Sequence, residues 1–447
     1  MITVVALVVA LVLGTATVVG LRLLRKDSAT GATTTAVLPS NDWAHGARKA
    51  WTLDIGGFAS VSTTGVAGNN DQLVVSNLNP HSNHAAEIKV TAYDVSGDEP
   101  QEQWSTDLDC RKTQTDPFHY YVPFYWGDYL IVDDKLLRAD NGEVSDAPWD
   151  RFPNMRINPV RGDYVIACDE EDHCSAWNAE DPDRKLWETD IPDSFEYAHN
   201  YADGIFRGVY EGDKTIAFAS PSTAVDLETG ELYDFHIDYS KNKEGVFQSD
   251  ESFSIRVLAD GWSKYNARSD RITILSPTGE ELETLDGGLP YDASVYLTDS
   301  HPRPTAAELK SYIEDGDADW AQIRGEFNKN SNTSCPITLT IGDSTFKPAD
   351  ESGSCIGLFP YPLAGARLSL SSDGSVLMSS FEALSTSTGR HISGMWSVED
   401  GELIDFPGNE FSGDHTAFYL VNPELIVTYK TGMEEGNELT AYRPDKK

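Results

Sequence analysis

One short unit recurs along this chain and limits what it can fold into. It is a strand, a turn rich in Asp, Asn or Gly, then a strand that often carries Trp. The clearest copy is Thr91-Ala92-Tyr93-Asp94-Val95-Ser96-Gly97, followed by Trp104-Ser105-Thr106-Asp107-Leu108. Leu136 to Gly142 leads in the same way to Trp149, Ser175 to Asn178 to Trp187, and Ala224 to Glu231 to Tyr233. Ile272 to Glu280, Met395 to Glu402 and Leu439 to Asp445 repeat the pattern. Alternating β-branched and aromatic residues suit a pleated, half-buried strand. Asp, Asn and Gly accept the positive φ of tight turns. The Trp after the turn offers a broad apolar face to a neighbouring sheet.

Many such units at regular spacing favour a closed β-propeller over an ordinary sandwich. Asp94, Asp140, Asn178, Asp226 and Ser276 lie 46, 38, 48 and 50 residues apart, and Val398 lies 45 before Arg443. The gap of 122 from Ser276 to Val398 fits two spacings plus an insertion of about 30 residues. That insertion is assigned to 302–333, where Thr305-Ala306-Ala307-Glu308 forms a capping box opening a helical stretch. The missing unit falls around the hairpin Ile337 to Ile341 and its return. The expectation is all-β, with eight blades and seven as the alternative. The strand Ala50 to Ile55 has no preceding turn unit and resembles Trp104 to Leu108, so the N-terminal strand is expected to complete the C-terminal blade.

Residues Ile2 to Leu24 form a largely apolar run, long enough to span a bilayer core of ~30 Å. Residues 1–26 are read as an uncleaved transmembrane anchor, 27–49 as a flexible Ala/Thr/Ser-rich spacer and 50–447 as the propeller. The flanking Arg22, Arg25 and Lys26 favour a cytoplasmic body. The spacer, the acidic Trp-rich body and the cysteine positions favour an extracytoplasmic one, and that is the reading adopted, because long domains translocate largely regardless of flanking charge.

The chain holds 72 acidic and 34 basic residues, a net charge of −38. Such a surface repels nucleic-acid backbones and anionic lipid. Cys168 and Cys174 bracket a short acidic loop between two strand-like segments, and Cys335 and Cys355 flank a second hairpin. Both pairs suit disulfides. A metal site using Cys168, His173, Cys174 and a carboxylate is the alternative for the first. Cys110 is left over and suits a small buried hydrophobe.

The units Ala92-Tyr93-Asp94 to Trp104, Ala224-Val225-Asp226 to Gly230 and Asn178 to Trp187 resemble the quinoprotein-type (PQQ-like) β-propeller repeat family. The resemblance implies a ring over roughly residues 50 to 447. Enzymes of that family imply a quinone and Ca²⁺ at the ring centre, and many carry adjacent cysteines. No cysteines are adjacent here, and no family ligand residue can be matched. The resemblance therefore points to the non-enzymatic branch, which acts as scaffolds in envelope assembly.

No catalytic, cofactor-binding or metal residues are assigned. Asp315 to Asp319, with Glu326 twelfth in line, has the rhythm of a Ca²⁺ loop, but Trp320 stands where Gly is needed. His81-Ser82-Asn83-His84 reads as a polar loop. No nucleophile elbow, Walker loop or zinc-protease motif occurs. The densest aromatic run is Phe118, His119, Tyr120, Tyr121, Phe124, Tyr125 and Trp126. It suits blade core or an exposed patch for a protein or glycan partner. The functional expectation is a membrane-anchored extracytoplasmic scaffold with an envelope or membrane protein partner. The alternative is a cofactor-dependent or hydrolytic propeller enzyme.

Overall fold

The computed structural model describes residues 37–446 except 56–63, 80–85, 111–122, 133–134, 150–155, 161–162, 195–208, 221, 238, 242–246, 250–252, 267–268, 287–294, 297–302, 317–322, 327–337, 348–365, 383–389, 410–415 and 431–437. Its strands fall into eight antiparallel blades. Blades 1 to 6 span 64–110, 124–146, 156–190, 209–234, 253–286 and 295–346, each four-stranded with neighbours in chain order. Blade 7 has three strands, Ala366–Leu370, Val376–Glu382 and Arg390–Ser397, and Trp396 on its outer strand forms a bridge with Leu403. Blade 8 has Thr416–Asn422, Leu425–Lys430 and Glu438–Pro444. Arg390 and His391 of blade 7 pair with Leu420 and Tyr419 of blade 8, so these two blades share one seven-stranded sheet. A separate hairpin, Tyr239–Lys241 with Phe247–Ser249, lies between blades 4 and 5 in the chain.

The fourth strand of blade 8 is Ala47–Asp54, from the other end of the chain. It pairs antiparallel with Glu438–Pro444, from Ala47 opposite Pro444 to Asp54 opposite Glu438. The ring therefore closes as the sequence implies. Gly68 of blade 1 sits so close to blade 8 that an added Cβ would lie 2.7 Å from a Val421 methyl. The Asn422 side-chain amide donates to the Asn70 carbonyl at 2.7 Å.

The core lies between blades rather than at one centre. Trp104 and Leu108 of blade 1 pack with Tyr125 and Leu137 of blade 2. Trp187 of blade 3 packs with Ala217 and Val225 of blade 4. Ile323 and Leu339 of blade 6 pack with Leu368 and Trp396 of blade 7. Each such burial contributes roughly 1.5–3 kcal/mol per large apolar side chain. Middle strands are covered on both faces, as in Tyr164–Cys168. Outer strands are exposed along most of their length, as in Asp181–Asp190 and Glu281–Asp286. Their carboxylates keep these open edges from pairing with another sheet.

The turn residues act as their chemistry predicts. Asp94, Asn178 and Asp226 each accept through Oδ1 from the backbone N–H two residues on, at 2.9, 2.8 and 2.9 Å. These bonds fix the chain reversal between the third and fourth strands.

Two boundaries shift. The spacer read over 27–49 ends earlier, because Asn41–His45 is a 3-10 helix whose Trp43 is fully buried against Phe406, Phe418 and Tyr442. Its indole N–H donates to the Pro423 carbonyl at 2.8 Å. The insertion read over 302–333 also ends earlier, since Ile323–Glu326 is the second strand of blade 6. Its helix is Ala306–Asp315, and the Thr305 and Glu308 capping box forms in both directions. Leu309 and Tyr312 of this helix complete the buried cluster on blade 5 with Tyr265, Ile274 and Leu285. The anchor over 1–26 lies outside the described residues. Among the described residues, no helix is long and apolar enough to cross a membrane.

Candidate functional site

The aromatic run falls into two parts. Phe124, Tyr125 and Trp126 form the inner strand of blade 2 and are all buried, so they are blade core and offer no surface. Tyr125 donates its hydroxyl to Gln72 Oε1 of blade 1 at 2.8 Å, and Trp126 donates to the Asp163 carbonyl of blade 3 at 3.0 Å. Propeller inner strands are covered on both sides, which is why three consecutive aromatics fit here. Phe118, His119, Tyr120 and Tyr121 lie outside the described residues, as do Cys335, Cys355 and the loop from His81 to His84.

Cys168 and Cys174 close a strand pair of blade 3, with sulfurs 2.13 Å apart and Cα atoms 4.1 Å apart. That geometry is a disulfide, and it replaces the metal alternative. His173 instead faces Asp169, with Nδ1 3.2 Å from Oδ2. The Asp169 carboxylate raises the His173 pKa above its ordinary value. The Ca²⁺-loop pattern fails on its frame. Asp315 ends a helix capped by Gly316 in the left-handed region, and Glu326 sits in a strand opposite Thr338. Cys110 ends the outer strand of blade 1.

In a four-stranded antiparallel blade, the turns after strands 1 and 3 emerge on one face. On this ring that face is acidic. Asp71, Asp128, Asp213, Asp260 and Asp373 occupy exposed turns after first strands. Asp140, Glu180, Glu228, Glu280, Asp343 and Asp400 occupy those after third strands. The same residues that set the turns also set the field of this face.

Between blades 4 and 5 the acidic face opens into a groove of about 440 Å³. Three stretches of chain line it: Lys214 from the first turn of blade 4, Glu231 to His236 along its outer strand, and Thr278 to Glu280 from the third-strand turn of blade 5. Lys214 Nζ donates to Glu231 Oε2 at 2.7 Å and to the Tyr233 hydroxyl, and it lies 5.0 Å from the Tyr233 ring centroid. The Glu231 carboxylate, then the Tyr233 hydroxyl, raise the Lys214 pKa. Lys214 in turn lowers that of Glu231. His236 holds φ at 51° while its N–H donates to Asp234 Oδ1 at 2.7 Å. Gly279, at φ 89°, brings the blade 5 turn close to the Phe235 ring. The lone cation is thus spent on Glu231, while Asp234 and Glu280 remain exposed to the groove.

Sequence reasoning assigned no role to this groove. Its residues come from stretches far apart in the chain, and none carries a motif. The one local signal is a basic residue, Lys214, inside the otherwise acidic turn Glu211-Gly212-Asp213. Among the described residues, no cluster of three or more His, Cys, Asp or Glu is arranged to hold a metal ion.

No protein-family model matches the chain, and no curated protein matches it. Solved structures resemble it in part. Sqt1 from Chaetomium thermophilum shares 9% identity over 88% of this chain and 97% of that one, at a TM-score of 0.43. The same protein bound to the N-terminus of ribosomal protein L10 covers 89% and 100% at 9% identity, with a TM-score of 0.42. The WD40 domain of SCAP from fission yeast covers 87% and 98% at 9% identity, with a TM-score of 0.34. These are distant likenesses, and the assignment of the fold rests on the strand topology itself.

Proposed function

We propose that this chain is a membrane-anchored, extracytoplasmic propeller that serves as a protein-interaction scaffold in the cell envelope. The observation that carries the scaffold reading is the acidic face of short, hydrogen-bonded turns, opened at one point by a groove. Such a face is rigid and preorganised, which lowers the ordering cost of binding a protein. The tether is supported by the apolar run Ile2 to Leu24. The extracytoplasmic body is supported by the Cys168–Cys174 disulfide, since such bonds persist in oxidising compartments. Kinship with the non-enzymatic quinoprotein-type repeats is part of the proposal. It is supported by Trp104, Trp187 and Gly230, the residues that carry the resemblance, which also join one blade to the next.

The test is an affinity capture from solubilised membranes with the full chain as bait. Recovery of a specific envelope protein is expected. Recovery of none, together with tight binding of a quinone or metal ion, overturns the scaffold reading. Thiol labelling of intact cells checks topology. Cysteines 168 and 174 found reduced and shielded from outside reagents would place the body in the cytoplasm.

A further inference from the structure

We infer that the groove between blades 4 and 5 is the docking site for an extended basic segment of the partner, with an Arg or Lys two residues from an apolar side chain. This rests on the scaffold reading above and names the partner chemistry of its face. Charge complementarity carries the first half. Lys214 is already paired with Glu231 and Tyr233, so it does not neutralise Asp234 or Glu280. Asp234 is about two-thirds exposed, at 64% of its side chain. Its only charged partner among the described contacts is His236, itself 75% exposed, at 3.2 Å. An entering ammonium or guanidinium therefore meets two carboxylates with capacity for further hydrogen bonds.

The second half comes from apolar exposure. Among the described residues, the large hydrophobics in the exposed class are Val144, Leu232 and Leu282. Leu232 lines this groove. Leu282 follows Glu280 by two residues on the outer strand of the adjoining blade. Along the blade 4 edge, exposed Leu232 and Asp234 thus lie two residues apart on one face, with Tyr233 between them turned into the core. A small polyvalent cation would use the carboxylates and leave Leu232 idle. An extended peptide uses both when its apolar and basic side chains lie two residues apart on one face.

The discriminating experiment measures binding of the full chain to two labelled hexapeptides by fluorescence anisotropy. One carries Leu and Arg two residues apart, and the other carries Leu and Glu at the same spacing. The Leu-Arg peptide is expected to bind at moderate salt and the Leu-Glu peptide not to bind. Asp234→Asn with Glu280→Gln is expected to weaken the Leu-Arg peptide about tenfold. Asp140→Asn with Glu143→Gln, on blade 2 of the same face, is expected to leave it unchanged. Leu232→Ser is expected to weaken the peptide while leaving spermine binding unaltered. Equal losses from the blade 2 and groove variants mean a diffuse field, and they overturn the site. Spermine binding that depends on Asp234 and Glu280, without any peptide binding, also overturns it. Unfolding midpoints within a degree or so of the parent's check that each variant is folded. The two proposals fail separately. A groove variant that still captures the envelope partner removes this site and leaves the scaffold standing, whereas a parent chain that captures nothing removes the scaffold.

Discussion

Among the described residues, blade interfaces cap a matching turn carbonyl with different donors. Between blades 1 and 2, Trp104 donates its indole N–H to the Ala139 carbonyl at 3.0 Å. Between blades 3 and 4, Trp187 does the same to the Leu227 carbonyl at 3.0 Å. In both, a glycine with positive φ, Gly142 or Gly230, lies directly against the indole. At the closing interface between blades 8 and 1, the matching carbonyl belongs to Val95. It follows a third strand, and its own N–H bonds back to the first-strand turn, as those of Ala139 and Leu227 do or nearly do. Here the donor is Arg443, which reaches Val95 O at 2.7 Å and Gly97 O at 3.0 Å. Trp51 occupies the corresponding outer strand, but its buried indole N–H has no partner among the described residues. The lesson is that the turn carbonyl must be capped, while the choice of donor is open. At the seam, the third strand supplies what the fourth supplies elsewhere.

The comparison breaks or sharpens through substitutions, the largest effect first. Trp43→Ala empties a fully buried site beside the seam and is expected to cost about 3–5 kcal/mol in urea unfolding. Gly142→Ala is expected to cost about 3 kcal/mol, because an added Cβ lies 2.5 Å from the Trp104 ring and the backbone is left-handed. Gly316→Ala is its control, with the same sign of φ and nothing within 4 Å of the new Cβ, at about 1 kcal/mol. Arg443→Met uncaps Val95 and is expected to cost about 2 kcal/mol, with faster amide exchange confined to Ala47–Asp54 and its partner strand. Trp104→Phe should cost about 1 kcal/mol more than Trp51→Phe, since only the first loses a hydrogen bond. Equal costs would mean that the indole contact, not the carbonyl cap, is what the interfaces share.

The smallest expected effect lies away from both interfaces and checks that pH scans report local chemistry. Asp169 raises the folded-state pKa of His173, so this pair stabilises most below the ordinary His value of about 6.5. Its contribution is lost as pH rises through the higher folded value. Asp169→Asn is expected to return the His173 titration, followed by NMR, toward that ordinary value. An unchanged midpoint would assign the shift to Asp190 and Glu171 instead.

Most of the architecture was legible because each blade writes its own turn. Asp94, Asn178 and Asp226 announce themselves by residue type, and the turns they form are local. The closing strand was legible because Trp51 to Asp54 copies the other outer strands. What stayed hidden is non-local or short. Ile323–Glu326 is a four-residue strand containing Gly325, with too little pattern to stand out beside a well-capped helix. Trp43 sits in a five-residue 3-10 helix within an Ala/Thr/Ser-rich stretch that reads as a linker. Arg443 looks like any surface cation until the ring brings Val95 beside it. The groove was hidden for the same reason, since Lys214, Asp234 and Glu280 converge only when blades 4 and 5 stand side by side.

Closure by the N-terminal strand also sets an order of events during folding. Ala47–Asp54 is made before any blade exists, yet its partner Glu438–Pro444 follows the other seven blades in the chain. Until then, Trp43 lacks Phe406, Phe418 and Tyr442 to bury against, and Trp51 meets only the blade 1 part of its cluster. Joining segments this distant carries a high loop-closure cost, so it favours a late and slow step. A growing chain of this kind therefore carries Trp43 uncovered until blades 7 and 8 are made, a state in which chaperone contact matters most.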